Sequence, residues 1–203
     1  MIISYPFNRG DIMIARLSKR IAYFFVERSI IQAEDEDVYI YGLQLLFSSV
    51  FNGLIAIIVA LASGTVIQSI VFLTAFVVMR KSAGGYHAKT HLGCCCILIV
   101  VMCMFITILK LVSERYFYTI TIVSVIFSII MVLIYAPLEH KNKPLSNTDK
   151  LRLRKKSKLY ILIITVLTII LGFLRLKHVM VSAALGIMTS SCSIAVAKLR
   201  KQS

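Results

Sequence analysis

The chain has 203 residues, 59% of them hydrophobic, and a mean hydropathy of +0.87. Soluble domains carry roughly 45–50% apolar residues even with glycine counted, so this composition excludes an ordinary water-soluble globule, and it equally excludes disorder. Only 16% of residues are charged, yet 23 Lys and Arg stand against 9 Asp and Glu for a formal net charge of +14, so the charges must be concentrated between apolar blocks, as in a polytopic membrane protein.

Near the start, Ile14, Leu17, Ile21, Phe24 and Phe25 recur at intervals of three and four, with Arg16, Lys19, Arg20 and Glu27 on the other side of the wheel. That pattern predicts an amphipathic helix in the headgroup plane, its basic side drawn to anionic lipid. The longest early apolar run, 21–26, is too short for a secretory signal and no small-residue cleavage site follows it, so none is expected. The acidic run Glu34, Asp35, Glu36, Asp37 reads as a solvated linker into the first span.

A hydrocarbon core about 30 Å thick takes roughly 20 residues of helix to cross. Six segments qualify, 43–62, 65–79, 94–112, 117–136, 159–174 and 179–197, and the second and fifth are short enough to borrow flanking residues. All are too long and too poorly alternating for membrane β-strands. The expected fold is therefore all-α: a single membrane domain over 1–203, with an interfacial segment at 1–41 and six transmembrane helices within 43–197.

Lys and Arg in short loops stay cytoplasmic, and an even number of crossings puts both termini on one side. Assigning that side to the cytoplasm collects 19 of the 23 cations, in the N-terminal segment, at Arg80, Lys81 and Lys89, within 141–158, and at Lys198, Arg200 and Lys201. Only Lys110, Arg115, Arg175 and Lys177 fall on the other side. Cytoplasmic termini are thus expected.

Between spans two and three the chain runs Arg80-Lys81-Ser82-Ala83-Gly84-Gly85-Tyr86-His87-Ala88-Lys89-Thr90-His91-Leu92-Gly93-Cys94. It offers two imidazoles, adjacent glycines and three cations beside a thiol, which are the ingredients of a nucleophile site. A helix dipole and nearby positive charge favour a thiolate at a helix N-terminus, and Cys94 is the first of three consecutive cysteines there. All five cysteines are expected to be free, because the cytoplasm keeps thiols reduced; Cys95, Cys96, Cys103 and Cys192 read as small packing residues. On a continuous helix the seven-residue step from His87 to Cys94 spans about 10.5 Å, too far for the roughly 3 Å contact of a general base. His87 therefore acts only if the chain folds back, which Gly84, Gly85 and Gly93 would permit. His91, three residues from Cys94, reaches it within one turn, and spacing does not choose between the two.

After span four comes Tyr135-Ala136-Pro137, then a basic loop (137–158) in which Lys141, Lys143, Lys150, Arg152, Arg154, Lys155, Lys156 and Lys158 outweigh Asp149. Its plain reading is a topology determinant on lipid headgroups. Nucleic-acid binding is not expected, since the cations flank membrane spans and no recognition fold is present. Two other classes compete with a peptidase. His87, His91 and Cys94 offer three possible ligands for a metal, two imidazoles and a thiolate, and Gln44, Asn52, Gln68 and the Thr189–Ser191 cluster are polar positions of the kind a transporter uses. No Asp or Glu lies inside the expected spans, which removes the usual ion relay, so these polar residues are expected to join helices.

The string Arg80-x3-Gly84-Gly85-x-His87-Ala88-x5-Cys94 resembles the motif of the accessory gene regulator B family, membrane-embedded cysteine endopeptidases of bacterial quorum sensing. Tyr135-Ala136-Pro137-x3-Lys141-Asn142-Lys143-Pro144-Leu145 resembles that family's loop after span four, and length, six spans, amphipathic start and basic central loop follow the same layout. The resemblance implies His87 and Cys94 as the catalytic pair, demoting His91, with no cofactor and no metal. It implies an AgrD-like precursor peptide whose acidic C-terminal tail is removed and whose own Cys or Ser closes a thiolactone or lactone ring. Arg80 then reads either as a binder of a substrate carboxylate or as a topology charge beside a span. Arg80, Gly84 and Gly85 are taken to serve the substrate and Lys155 and Lys156 to dock the acidic tail, and the resemblance implies a homodimer in the bacterial cell membrane with its site facing the cytoplasm.

Overall fold

The computed structural model describes residues 9–85, 91–138 and 146–199. Among them the ordered elements are helical: α1 (Arg9–Glu27), α2 (Glu36–Ser63), α3 (Val66–Ala83), α4 (His91–Leu111), α5 (Phe117–Tyr135), α6 (Asn147–Phe173) and α7 (Lys177–Leu199), with short 3-10 turns at Ala33–Asp35 and Glu114–Tyr116. The all-α fold matches expectation, and six helices are long and apolar enough to cross a membrane. The protein is a multi-pass membrane protein. The two short spans do borrow neighbours: α3 continues through Arg80 to Ala83, and α6 begins at Asn147. A helix of 27 residues is about 40 Å long, more than the hydrocarbon needs, so the cations from Lys150 to Lys158 ride on its opening turns instead of in a loop.

The described residues fall into two compact units. The first draws on Met1–Val59 and Ala88–Val100, the second on Ala60–His87 and Val101–Ser203.

In the first unit, α1 is present but its covered line differs from the expected stripe. Ser18 and Ala22 are fully buried, whereas Leu17 and Phe24 stay 48% and 47% exposed. Ile14, Ile21 and Phe25 are half-buried beside these small residues, so the covered side keeps part of the expected stripe, and Leu17 and Phe24 point outward, where an interfacial helix holds such side chains in lipid. The acidic run is exposed at Glu34, Asp35 and Asp37, as expected, but it is not a linker. It forms the 3-10 turn and opens α2 with Glu36 and Asp37, where the helix dipole favours negative charge. Along α2 the covered line is Ile40, Gln44, Ser48, Asn52 and Ala56, four residues apart, so three polar side chains share the inward side.

In the second unit α7 is the central helix, packed against α3, α5 and α6. Residues 180–187 are buried without a break, and a helix covered all round needs no amphipathic stripe. Ala75, Met79, Met131, Val132, Ile161, Ile187 and Ile194 form the core. α3 reaches α7 closely at Gly186, where an added Cβ would lie 2.5 Å from the Phe72 carbonyl oxygen and 2.9 Å from Ala75 Cβ. The hydroxyls mostly close on their own helices: Ser128 on the Ser124 carbonyl (2.6 Å), Thr168 on Ile164 (2.7 Å) and Ser182 on His178 (2.6 Å). Thr189 and Ser191 do the same on Leu185 and Ile187. They are compatible with close approach because they are small, not because they bond across helices.

Two ends of this unit are distinct. At one, Glu114 accepts from Lys177 (3.4 Å) and pairs with His178 (3.0 Å), whose ring meets Phe117 edge-on. At the other, the C-terminal ends of α3, α5 and α7 come together around the glycine pair.

Candidate active site

The last turn of α3 carries Arg80. Its guanidinium stands over the Phe76 ring, 5.7 Å from the centroid, and donates to Ser193 Oγ on α7. Gly84 ends the helix with φ +79°, its N–H donating to the Arg80 carbonyl at 3.1 Å, and Gly85 follows at φ +144°. Both torsions lie where glycine is strongly preferred, and neither site has room for a side chain. A Cβ on Gly84 would sit 2.9 Å from the Leu138 carbonyl oxygen, and one on Gly85 would sit 2.6 Å from Ser193 Oγ and 2.8 Å from Arg80 Nη1. The segment after α5 seals the turn: Leu138 N–H donates to the Ala83 carbonyl at 3.0 Å, and Ala136 is buried. Arg80, Gly84 and Gly85 therefore form one built corner. Gly84 and Gly85 take up the turn conformation the sequence allows them, against Ser193 and the Tyr135-Ala136-Pro137-Leu138 segment, whereas Gly93, the third glycine expected to permit a turn, lies inside α4.

Cys94, the nucleophile expected from the sequence, belongs to the first unit. α4 begins at His91, three residues before Cys94, so the thiol sits at the opening of the helix and is exposed. Cys95 beside it is buried, and Cys96, Cys103 and Cys192 are exposed; all five are free thiols. Cys94 Sγ accepts a hydrogen bond from the Asn52 side-chain nitrogen on α2, at 3.7 Å. The other end of that amide, Oδ1, is buried with no hydrogen-bond partner among the described residues.

His87 and the side chain of His91 lie outside the described residues, and with them the meeting of either imidazole with Cys94 and the His-His-Cys metal arrangement. Lys155 and Lys156 are exposed on the third turn of α6. Two contacts escape sequence reading. Ser193 lies 113 positions from Arg80 and sits in a run of small polar residues with nothing to single it out. Asn52 was visible as a polar residue in an apolar span, but its partner, 42 positions away, was not.

Residues 18–195 match the family model described as Accessory gene regulator B. An AgrB-like protein of Clostridium perfringens (strain SM101 / Type A) is 27% identical over 188 residues, covering 86% of this chain and 88% of that protein. AgrB-like protein 2 of Clostridium perfringens (strain 13 / Type A) is 28% identical over 191 residues with the same coverage. Protein FsrB of Enterococcus faecalis (strain ATCC 47077 / OG1RF) is 29% identical over 119 residues, 58% of this chain and 48% of its own. No solved structure matches.

Proposed function

This chain belongs to the accessory gene regulator B family, membrane proteins of quorum-sensing peptide processing, and from that premise we propose that it is a cysteine endopeptidase with Cys94 as nucleophile. Its substrate is an AgrD-like precursor peptide, from which it removes the C-terminal tail at the cytoplasmic face of the membrane. The observation that carries this reading is the exposed thiol at the opening of α4, seven positions after His87 in the chain.

In this mechanism His87 takes the thiol proton and Cys94 Sγ attacks the scissile carbonyl; the imidazolium then gives that proton to the departing amine. The product is a thioester between the peptide and Cys94. A side-chain thiol or hydroxyl of the peptide displaces Cys94 and closes the ring, and a site at the membrane surface limits the competing attack by water. Arg80, oriented by Ser193 and Phe76, is assigned to a substrate carboxylate, which a guanidinium binds through a fork of donors. Gly84 and Gly85 shape the corner on which it stands, and Lys155 and Lys156 attract the acidic tail. The active protein is a homodimer.

Co-expression with an AgrD-like precursor, followed by mass spectrometry of the peptide, tests the assignment. Cys94→Ala and His87→Ala should each leave the protein inserted in the membrane and the precursor uncut. Tail release by Cys94→Ala would refute it.

A further inference from the structure

A thiol protease also needs donors for the charge that develops on the substrate carbonyl oxygen, and loss of one such donor typically costs about 10²–10³ in rate. The backbone N–H groups of a helix start are one source, but α4 starts three residues ahead of Cys94. Among the described residues Asn52 is the side chain that hydrogen-bonds the sulfur, and both residues belong to the first unit.

We infer that Asn52 is a catalytic residue, its side-chain amide donating to the oxyanion formed when Cys94 attacks the peptide carbonyl. The inference rests on the peptidase reading above. Its first support is distance. In the tetrahedral adduct the oxyanion lies about 2.7 Å from the attacking sulfur, and an effective donor lies about 2.7–3.1 Å from that oxygen. A nitrogen 3.7 Å from Sγ is placed to satisfy both. As the Sγ–C bond forms, the carbonyl π pair moves to oxygen and the amide N–H follows the charge from sulfur to oxygen. As the pair returns, the C–N bond breaks and the amine leaves with the proton taken from Cys94.

The second support is cost. Asn52 lies among Val50, Phe51, Gly53 and Leu54, and a polar side chain in a membrane span is expensive unless it is bonded or used. An amide serving only to join helices would have both ends satisfied. Here Oδ1 is buried without a partner among the described residues, and the nitrogen's hydrogen bond goes to the nucleophile.

The test compares Asn52→Leu, close in shape and at ease in a bilayer, with Asn52→Ala, both in a chain carrying Cys95→Ala, Cys96→Ala, Cys103→Ala and Cys192→Ala. Two rates are measured in membranes: tail release from an AgrD-like precursor, and alkylation of Cys94 by iodoacetamide. Alkylation is a displacement at a saturated carbon and forms no oxyanion. The expected result is a fall in kcat for tail release of about 10²-fold with KM unchanged, and alkylation within about threefold of the parent chain. Tail release within about threefold of the parent in both variants would overturn the inference. So would a parallel loss of both rates, since Asn52 would then only hold α4 in place. If the separate Cys94→Ala control still releases the tail, the peptidase reading is what has failed.

Discussion

The side-chain nitrogen of Asn52 stands 3.7 Å from the sulfur of Cys94, and it joins the middle of α2 to the opening of α4. Asn52 lies on the covered line of α2 with Gln44 and Ser48, so the polar side of that helix is turned inward at the level of Cys94. Cys94 remains exposed while Cys95, the next residue, is buried. Cys94 and Cys95 are therefore not interchangeable.

That difference sets an order of labelling. A maleimide applied to the protein in membranes should modify Cys94 before Cys95, because only the former is accessible. Cys95→Ala should retain tail release, and Cys94→Ala should abolish it even though two thiols follow immediately. Mass spectrometry of the labelled peptides reads the order, and faster modification of Cys95 would contradict the geometry.

Gly85→Ala should be more damaging than a methyl group suggests. The torsion of +144° is strained for alanine, and the new carbon would fall 2.6 Å from Ser193 Oγ. Backbone strain of this kind costs on the order of 1–3 kcal/mol, before any displacement of Arg80. Thermal unfolding in detergent should show a lowered midpoint. Ser193→Ala, which removes the contact but keeps the backbone, should unfold closer to the parent while weakening precursor binding through a less ordered Arg80.

Gly186→Ala tests the close approach of α3 to α7. The carbon would lie 2.5 Å from the Phe72 carbonyl oxygen, and forcing extra volume into a packed site typically costs about 1–3 kcal/mol. Gly186→Leu should leave little folded protein after extraction. If both variants melt with the parent, α3 and α7 are not in contact at that residue.

Lys155 and Lys156 are exposed on α6, where charge reversal has little to disturb in the fold. Lys155→Glu combined with Lys156→Glu should slow processing of a precursor with an acidic tail at low salt. The deficit should narrow as salt rises, since steering by exposed charges is screened beyond a Debye length of about 10 Å at 0.1 M. Equal rates at low salt would remove these lysines from substrate capture.

Much of the architecture could be read along the chain. Crossing a bilayer is a property of some twenty consecutive residues, so composition alone locates the helices and the distribution of Lys and Arg between them. The motif from Arg80 to Cys94 is equally local, and it carries both the family and the glycine turn. The short second and fifth spans extended as expected. The acidic run did not stay a linker, because Glu36 and Asp37 suit a helix start.

Which side chains meet across helices was hidden, as the pairs Asn52 with Cys94 and Arg80 with Ser193 show. Lipid tails are as apolar as leucine, so no hydrophobic difference tells one side of a spanning helix from another. Rotation about each axis is set instead by where small residues allow backbones to approach, as Gly186 does beneath Phe72. Those contacts exist only once the helices have packed.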